Sequence, residues 1–254
     1  MLLAAVTTVL WAITSAVSAA TATRFEGIPS VGVLYTHTPK KHICTGAVVA
    51  SKPGNMIITA AHCMRGDGKH LRFAPGYHDG STPYGTYPVT GAYIHSEWNK
   101  TFSINHDYAI LTLGNATVNG RSVTVQQMTG GNKINFSPSY DNVVKVFGYN
   151  LNEEKPMRCT TSTYRAGDGQ LGFNCGPFRA GTSGSVFMAK FSHKKMLGTI
   201  VGNIGGWQGG GCSDGTSYSA RYSSGLNRVF DEASNSTGKT QCGWVVKGGA
   251  PKYC

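Results

Sequence analysis

The sequence predicts an all-β protein, built as a sandwich or a barrel. Only 14% of the 254 residues are charged, whereas glycine occurs 34 times, and such a composition favours short strands joined by turns over long helices. Short apolar stretches recur along the chain, separated by segments rich in glycine, proline, serine and asparagine. Strands at this density are typical of closed or sandwiched antiparallel sheets.

The predicted strands form two groups. The first group covers 31–35, 44–50, 56–59, 71–74, 87–95 and 108–113, and the second covers 143–149, 157–164, 171–173, 185–191, 196–204 and 217–221. Segment 118–140 has little apolar pattern, and we predict that it connects two halves, 25–120 and 121–233. Leu226, Val229, Phe230 and Ala233 follow helical spacing, which predicts one short C-terminal helix before an irregular tail at 234–254.

Residues 1–20 predict a secretory signal peptide. They carry no charged side chain, are mostly apolar, and end in small residues that a signal peptidase accepts. We expect cleavage near Ala19, Ala20 or Ala22. A retained membrane anchor is the alternative, although the apolar run is short for a membrane span. No other stretch is long and apolar enough to cross a bilayer, so we expect no membrane contact once the signal is removed.

The cysteines and sequons also favour export. Seven cysteines follow the signal, which fits an oxidising compartment, and their spacing matches no metal site, so we predict neither a metal nor a cofactor. Four sequons begin at Asn99, Asn115, Asn135 and Asn235 and would be glycosylated on surface loops if the source glycosylates, although Pro138 makes the third a poor acceptor.

The net charge of +11 does not by itself indicate nucleic-acid binding. No dense Lys/Arg cluster with interleaved aromatic residues occurs, and the closest approach is His193-Lys194-Lys195. We therefore expect no nucleic-acid partner and interpret the charge as a solvated basic surface that aids solubility and loose contact with polyanions.

Three motifs supply the residue types of an activated serine nucleophile. His62 follows a short apolar strand in Thr-Ala-Ala-His-Cys, Asp107 stands at the head of another in His-Asp-Tyr-Ala-Ile-Leu, and Ser183 lies in Gly-Thr-Ser-Gly-Ser. A glycine-flanked serine on a tight turn exposes its hydroxyl, and nearby amides can converge on one spot. Taken singly, each residue also has a purely structural interpretation: His62 as a loop histidine, Asp107 as a strand cap and Ser183 as a turn serine. Their order in one chain favours catalysis.

The three motifs resemble the catalytic motifs of the chymotrypsin-like (trypsin-like) serine peptidases, over roughly 25–233. The Ser-Gly-Ser ending and the short N-terminal region are similar to the secreted microbial, glutamyl-endopeptidase-like branch. The resemblance implies two packed antiparallel β-barrels, with the catalytic site in the cleft between them. The first barrel, 25–120, would supply His62 and Asp107, and the second, 121–233, would supply Ser183 and the specificity pocket.

The resemblance also implies the chemistry. Ser183 would attack the scissile carbonyl, His62 would take its proton and pass it to the leaving amine, and Asp107 would orient His62 and stabilise its charged form. The amides of Gly181 and Ser183 would form the oxyanion hole, each contributing about 3 kcal/mol to transition-state stabilisation.

One position departs from the digestive members of the family. There, an aspartate precedes the serine and binds a freshly cut N-terminus, whereas this chain has Thr182. A neutral threonine forms no such ion pair. We therefore predict that the oxyanion hole forms without insertion of the N-terminus.

Two disulfides are expected. Cys44 lies on a predicted strand and Cys63 directly follows His62, so a bridge between them would pin the loop that holds His62 and stabilise the fold by about 3 kcal/mol. The family resemblance implies a second bridge, between Cys159 and Cys175. The remaining cysteines are Cys212, Cys242 and Cys254, of which any two can pair, leaving one free or intermolecular.

The specificity pocket is expected between two segments. One wall would be 175–179, including Pro177, Phe178 and Arg179. The other would be 203–207, including Asn203, Ile204, Gly205 and Gly206, with 217–219, including Tyr218, nearby. The position that gives trypsins their preference for Arg and Lys falls near Pro177, which is uncharged. A preference for Glu is also unsupported, because Asn203 replaces the histidine expected in glutamyl endopeptidases. Gly205 and Gly206 would leave room for a larger apolar or mixed side chain.

The sequence thus predicts a secreted, monomeric serine endopeptidase that acts on polypeptide substrates and is open to protein inhibitors. A catalytically inactive homologue that serves as a binding protein is the main alternative, although all three catalytic residue types are present. A basic lectin-like or adhesive β-protein is a more distant one.

Overall fold

The computed structural model describes residues 20–64 and 66–236. Most of the predicted signal peptide, part of the predicted tail, and Cys242 and Cys254 lie outside the described residues. Within them, no helix has both the length and the apolarity needed to span a bilayer.

The first half is a closed six-stranded antiparallel barrel. Its strands follow in the spatial order β3–β4–β5–β8–β7–β6. The bounds are β3 Val31–Tyr35, β4 His42–Val48, β5 Met56–Thr59, β6 Arg72–Pro75, β7 Tyr87–Ile94 and β8 Ala109–Leu113. Both β3 and β8 are buried at every position because β-branched and aliphatic side chains face the barrel interior on one side and the rest of the molecule on the other.

The second half is a nine-stranded sheet with the spatial order β1–β14–β13–β12–β15–β16–β11, to which β17 adds beside β14 and β2 beside β13. The bounds are β1 Ala20–Thr21, β2 Thr23–Arg24, β11 Lys133–Ile134, β12 Val143–Gly148, β13 Met157–Arg165, β14 Leu171–Gly176, β15 Val186–Ser192, β16 Leu197–Asn203 and β17 Thr216–Ser219. The N-terminal segment therefore belongs to this half, since β1 runs parallel to β14 and β2 antiparallel to β13.

Three short helices complete the described chain. They are α1 Ser96–Thr101, α2 Val125–Thr129 and α3 Ser224–Ser234. The last of these is the predicted C-terminal helix. The other two were not predicted. The segment expected to be a plain connection, 118–140, contains α2, β11 and β10 (Arg121–Val123), and β10 pairs with β9 (Ala116–Val118), which ends where that segment begins. A capping box explains α2, because Thr124 accepts from the Gln127 amide while the Gln127 side chain accepts from the Thr124 amide.

The buried apolar side chains form three clusters. One fills the first barrel and includes Leu34, Ile57 and Phe73. A second lies within the nine-stranded sheet and includes Val146 and Phe173. The largest joins the two halves, and it also receives Leu226, Val229 and Ala233 from α3. Both sides of the active-site cleft are thus anchored in a shared core.

Candidate active site

His62 lies on a short helical turn that the first barrel holds in place. The fully buried strand β5 ends at Thr59, and the turn Ala61–Cys63 follows directly. Cys63 is disulfide-bonded to Cys44 of β4, with 6.2 Å between the Cα atoms. This crosslink fixes the residue next to His62 to a neighbouring strand, so the imidazole is presented from a rigid support.

Asp107 is fully buried and accepts three N–H hydrogen bonds. Its Oδ1 accepts from the His62 amide at 2.9 Å, and its Oδ2 accepts from His62 Nδ1 and from the Gly206 amide, both at 2.7 Å. These donors stabilise the ionised carboxylate, which would otherwise be costly to bury. They also fix the direction of the imidazole, since two of them come from His62 itself.

The environment of His62 suits a general base. Because Nδ1 is the hydrogen-bonded donor to Asp107, Nε2 is the nitrogen that accepts a proton in the neutral tautomer. Burial lowers the pKa of His62, but the charge of Asp107 and its hydrogen bond outweigh burial, so the net shift in pKa is upward from 6.5. A protonated His62 is therefore stabilised by Asp107.

Ser183 lies on a tight loop that only glycine permits at two positions. Gly181 and Gly184 have φ angles of +94° and +84°. A Cβ on Gly184 would lie 2.2 Å from the carbonyl oxygen of Thr45, so any side chain there would separate the loop from β4. The Ser183 carbonyl accepts from the Thr45 amide at 2.8 Å, which seats the loop against the first barrel.

His62 and Ser183 line the same cleft. They border a recess of about 480 Å³ on one side, together with Phe178, Arg179 and Ile204. They also border a second recess of about 620 Å³, together with the Cys44–Cys63 disulfide. Asp107 is hydrogen-bonded to Nδ1 of His62. The structure therefore brings all three residues of the predicted triad to one place.

The amides of Gly181 and Ser183 lie on this loop, one on either side of Thr182. Among residues 20–64 and 66–236, no protein acceptor takes a hydrogen bond from either amide. Two neighbouring N–H groups that lack a protein acceptor beside a serine hydroxyl can bind a negatively charged oxygen.

The predicted pocket residues fall into two groups. Phe178, Arg179 and Ile204 line the first recess, whereas the other five do not border it. Asn203 is fully buried and its side chain bonds the Asp107 carbonyl and the Tyr222 hydroxyl. The residues that do not border the recess are Pro177, Asn203, Gly205, Gly206 and Tyr218.

A segment that sequence reasoning missed supplies much of the first recess. Residues 208–214 line it together with Ser217 of the expected segment 217–219, and Arg179 forms an ion pair with Asp214 at 2.6 Å. The run Gly209-Gly210-Gly211 was the available signal, because all three glycines adopt positive φ angles in a tight loop.

The described disulfides include both expected pairs. Cys44 is bonded to Cys63 and Cys159 to Cys175, and Cys212 is also disulfide-bonded. The second bridge joins β13 to β14, the strand that leads into the recess at Phe178.

Solved structures of three proteases share this architecture. A protease, Anisep, from Arthrobacter nicotinovorans has a TM-score of 0.71 at 20% identity, covering 85% of this chain and 100% of its own. A thermostable serine protease, AL20, from an extremophilic microorganism has 0.68 at 23%, covering 82% and 98%. A Glu endopeptidase in complex with MPD has 0.65 at 16%, covering 85% and 97%. These similarities confirm the predicted chymotrypsin-like two-barrel fold.

The sequence itself matches one family. A comparison with curated proteins found no significant match. The family model described as Trypsin matches residues 17–165, which include His62 and Asp107 and end before Ser183. That match spans more than half of the 254 residues. The chain therefore belongs to the trypsin family of chymotrypsin-like serine proteases.

Proposed function

We propose that this protein is a secreted serine endopeptidase that hydrolyses peptide bonds through Ser183, His62 and Asp107. The observation that carries the proposal is the joint placement of three features. His62 is hydrogen-bonded to the buried Asp107 carboxylate at 2.7 Å, and it shares a cleft with Ser183. The loop that carries Ser183, called the serine loop below, offers two amides, of Gly181 and Ser183, that have no acceptor in the described chain.

The proposed reaction has two stages. Ser183 Oγ attacks the scissile carbonyl carbon while His62 Nε2 takes the hydroxyl proton, and the carbonyl oxygen becomes an oxyanion facing the Gly181 and Ser183 amides. The C–N bond then breaks, and His62 returns the proton to the leaving amine, which leaves an acyl-enzyme. Water, deprotonated by His62, attacks the ester in the same way and releases the acid and the free serine.

The first recess supports a preference for an uncharged side chain before the cleaved bond. Its lining contains Phe178 and Ile204, which are apolar and buried. Among the described residues that line it, the charged side chains apart from His62 are Arg179 and Asp214, and these form an ion pair with each other. Because the two charges compensate, neither is left to select a substrate side chain of opposite sign. A peptide-library digest identifies the preferred residue.

Secretion is proposed from the N-terminal sequence and the crosslinks. Residues 1–20 have the composition of a signal peptide, and the described chain contains two complete disulfides. Disulfides of this kind persist in oxidising compartments. N-terminal sequencing of protein collected from the culture medium tests both the export and the cleavage site.

A fluorophosphonate probe tests the nucleophile. The intact protein is expected to be labelled covalently, and Ser183→Ala is expected to abolish labelling. Ser185→Ala is the matched control, because Ser185 is two residues away, fully buried, and its hydroxyl has no hydrogen-bond partner among residues 20–64 and 66–236. Folded protein that is never labelled would contradict the proposal and favour the inactive, binding homologue.

A further inference from the structure

The loop that carries the two oxyanion amides is not fixed by an ion pair. At the position where digestive relatives place a carboxylate, Thr182 is buried and its hydroxyl donates to the Arg179 carbonyl at 2.6 Å. The Ser185 amide donates to the Thr182 carbonyl at 2.8 Å. Both bonds join residues of the same loop. Other contacts must therefore hold the loop against the rest of the molecule.

One set of external contacts comes from the turn after β12. Asn150 is 2% exposed, and its Oδ1 accepts from the Arg179 amide at 2.9 Å. The next residue, Leu151, donates its amide to the Ala180 carbonyl at 2.6 Å. The buried His42 also fixes this turn, because its Nε2 lies within hydrogen-bond distance, 3.0 Å, of the Asn150 carbonyl oxygen.

Another external contact comes from the side chain of Thr45 on β4. Its hydroxyl donates to the Gly181 carbonyl at 3.0 Å and accepts from the Tyr149 amide, also at 3.0 Å. Its side chain therefore joins the first barrel, the end of β12 and the serine loop. A Cβ on Gly181 would lie 2.5 Å from the Leu151 nitrogen, so the loop is seated directly on the turn.

These contacts determine where the oxyanion amides point. In a trans peptide the C=O and N–H bonds point in opposite directions. The Ala180 carbonyl is held by the Leu151 amide, so the Gly181 N–H of the same peptide plane points the other way. The Thr182 carbonyl is held by the Ser185 amide, and this fixes the Ser183 N–H in the same manner.

We infer that Asn150 and Thr45 are positioning residues. Asn150 binds the Arg179 amide and Thr45 binds the Gly181 carbonyl, on either side of the Ala180–Gly181 peptide, and together they hold the loop so that its oxyanion amides keep their active orientation. The inference rests on the proposed function, because the orientation matters only if an oxyanion forms there. Neutral hydrogen bonds from Asn150 and Thr45 take the place of the ion pair that an N-terminal amine would make. The geometry of the site is then complete in the folded chain without a cleavage-generated partner.

Substitution of each residue tests the inference through the split between kcat and KM. Asn150→Ala and Thr45→Val are each expected to lower kcat by about 10- to 100-fold, because a displaced oxyanion donor weakens binding of the transition state only. KM is expected to change by less than about threefold, since ground-state binding does not use these donors. Thr45→Ser keeps the hydroxyl and is expected to recover most of kcat.

Asn132→Ala is the matched control for loss of stability. Asn132 is fully buried, donates to the Val48 carbonyl and accepts from the Gly198 amide, each at 2.9 Å, but it does not contact the serine loop. Its kcat is expected to match that of the unmodified protein. If Asn150→Ala and Thr45→Val have the kcat of Asn132→Ala, the inference is wrong.

The same set of proteins also covers two other results: a variant that does not fold, and an unmodified protein that is inactive. If Asn150→Ala does not fold, the comparison of Thr45→Val with Thr45→Ser decides, and equal kcat values for the two would overturn the inference. If the unmodified, folded protein is not labelled by a fluorophosphonate, the proposed function fails, and the inference fails with it. An active unmodified protein with fully active Asn150 and Thr45 variants refutes the inference alone.

Discussion

Asp107 shows how much a single residue contributes to this site. Its carboxylate is inaccessible to solvent and accepts from three N–H groups, two from His62 and one from Gly206. The Gly206 amide comes from the second half of the chain, and the Asn203 side chain bonds the Asp107 carbonyl at 3.2 Å from the same half. Asp107 therefore both orients the His62 imidazole and joins the two barrels.

The pH dependence of activity should reveal the carboxylate at His62. The pKa of His62 is raised by Asp107 against the lowering effect of burial, and only the neutral imidazole acts as a base. We expect kcat/KM to rise with pH through a midpoint above 6.5. In Asp107→Asn the maximum should fall by about 10⁴-fold, and the midpoint should move to lower pH. Steady-state assays across the range check both, and a profile that is flat from about pH 4 to 9 would exclude His62 as the base.

The sequence predicts some residues of the site and misses others for a physical reason. His62, Asp107 and Ser183 are recognisable because each lies in a local motif whose neighbours are fixed by the same strand or turn. The contribution of Asn150 is not recognisable in this way, because its partner Arg179 is far away in sequence and the contact exists only in the folded chain. The pocket residues 208–214 were missed for the same reason.

At the scale of elements, strand predictions succeed where burial is continuous. The expected strands 31–35 and 56–59 coincide with β3 and β5, whose side chains are all buried. The strands β1 and β2 were missed because each has only two residues and is formed by pairing with β14 and β13. Such short strands carry no periodic signal of their own.

The two complete disulfides allow a comparison of stability with activity. They close loops of similar length, with sequence separations of 19 and 16, so replacing either pair by alanine should lower the free energy of unfolding by about 3 kcal/mol. Only the Cys44–Cys63 pair adjoins His62. We therefore expect its removal to lower kcat more than removal of Cys159–Cys175, as measured on folded protein at low temperature. Equal losses of kcat would argue against a role for the crosslink in holding the base.

At the scale of the whole molecule, the N-terminal segment is docked rather than inserted. The Ala22 amide donates to the Gly176 carbonyl at 2.7 Å, and Ala22 packs in the core of the nine-stranded sheet. Extra residues placed before Thr21 are therefore expected to leave kcat within about twofold of that of the trimmed protein. The described serine loop has no carboxylate with which an N-terminal amine could form an ion pair. The test compares extended and trimmed protein in the same assay. An extended protein that stays inactive until it is trimmed would contradict this expectation.

Three histidines outside the cleft link the stability of the whole fold to pH. His42 is fully buried between the Pro39 and Asn150 carbonyls, and burial lowers its pKa in spite of those bonds. His95 and His106 stack with their ring centroids 4.0 Å apart. Burial lowers the pKa of both; His106 is lowered further by His95, and His95 by Arg228 and Lys100, while Glu97 opposes the shift in both.

Acid should therefore destabilise the protein below pH 6.5. Between the lowered folded pKa values and about 6.5 the unfolded chain binds more protons than the folded one, so each such histidine reduces stability by up to about 1.4 kcal/mol per pH unit as the pH falls. His62 acts in the opposite sense, because its raised pKa adds stability that is present at low pH and lost as pH rises through that pKa. Urea denaturation at pH 7.5 and 5.0 should show lower stability at pH 5.0, and His106→Gln should reduce the difference. Equal stability of the unmodified protein at the two pH values would show that these histidines do not dominate the linkage.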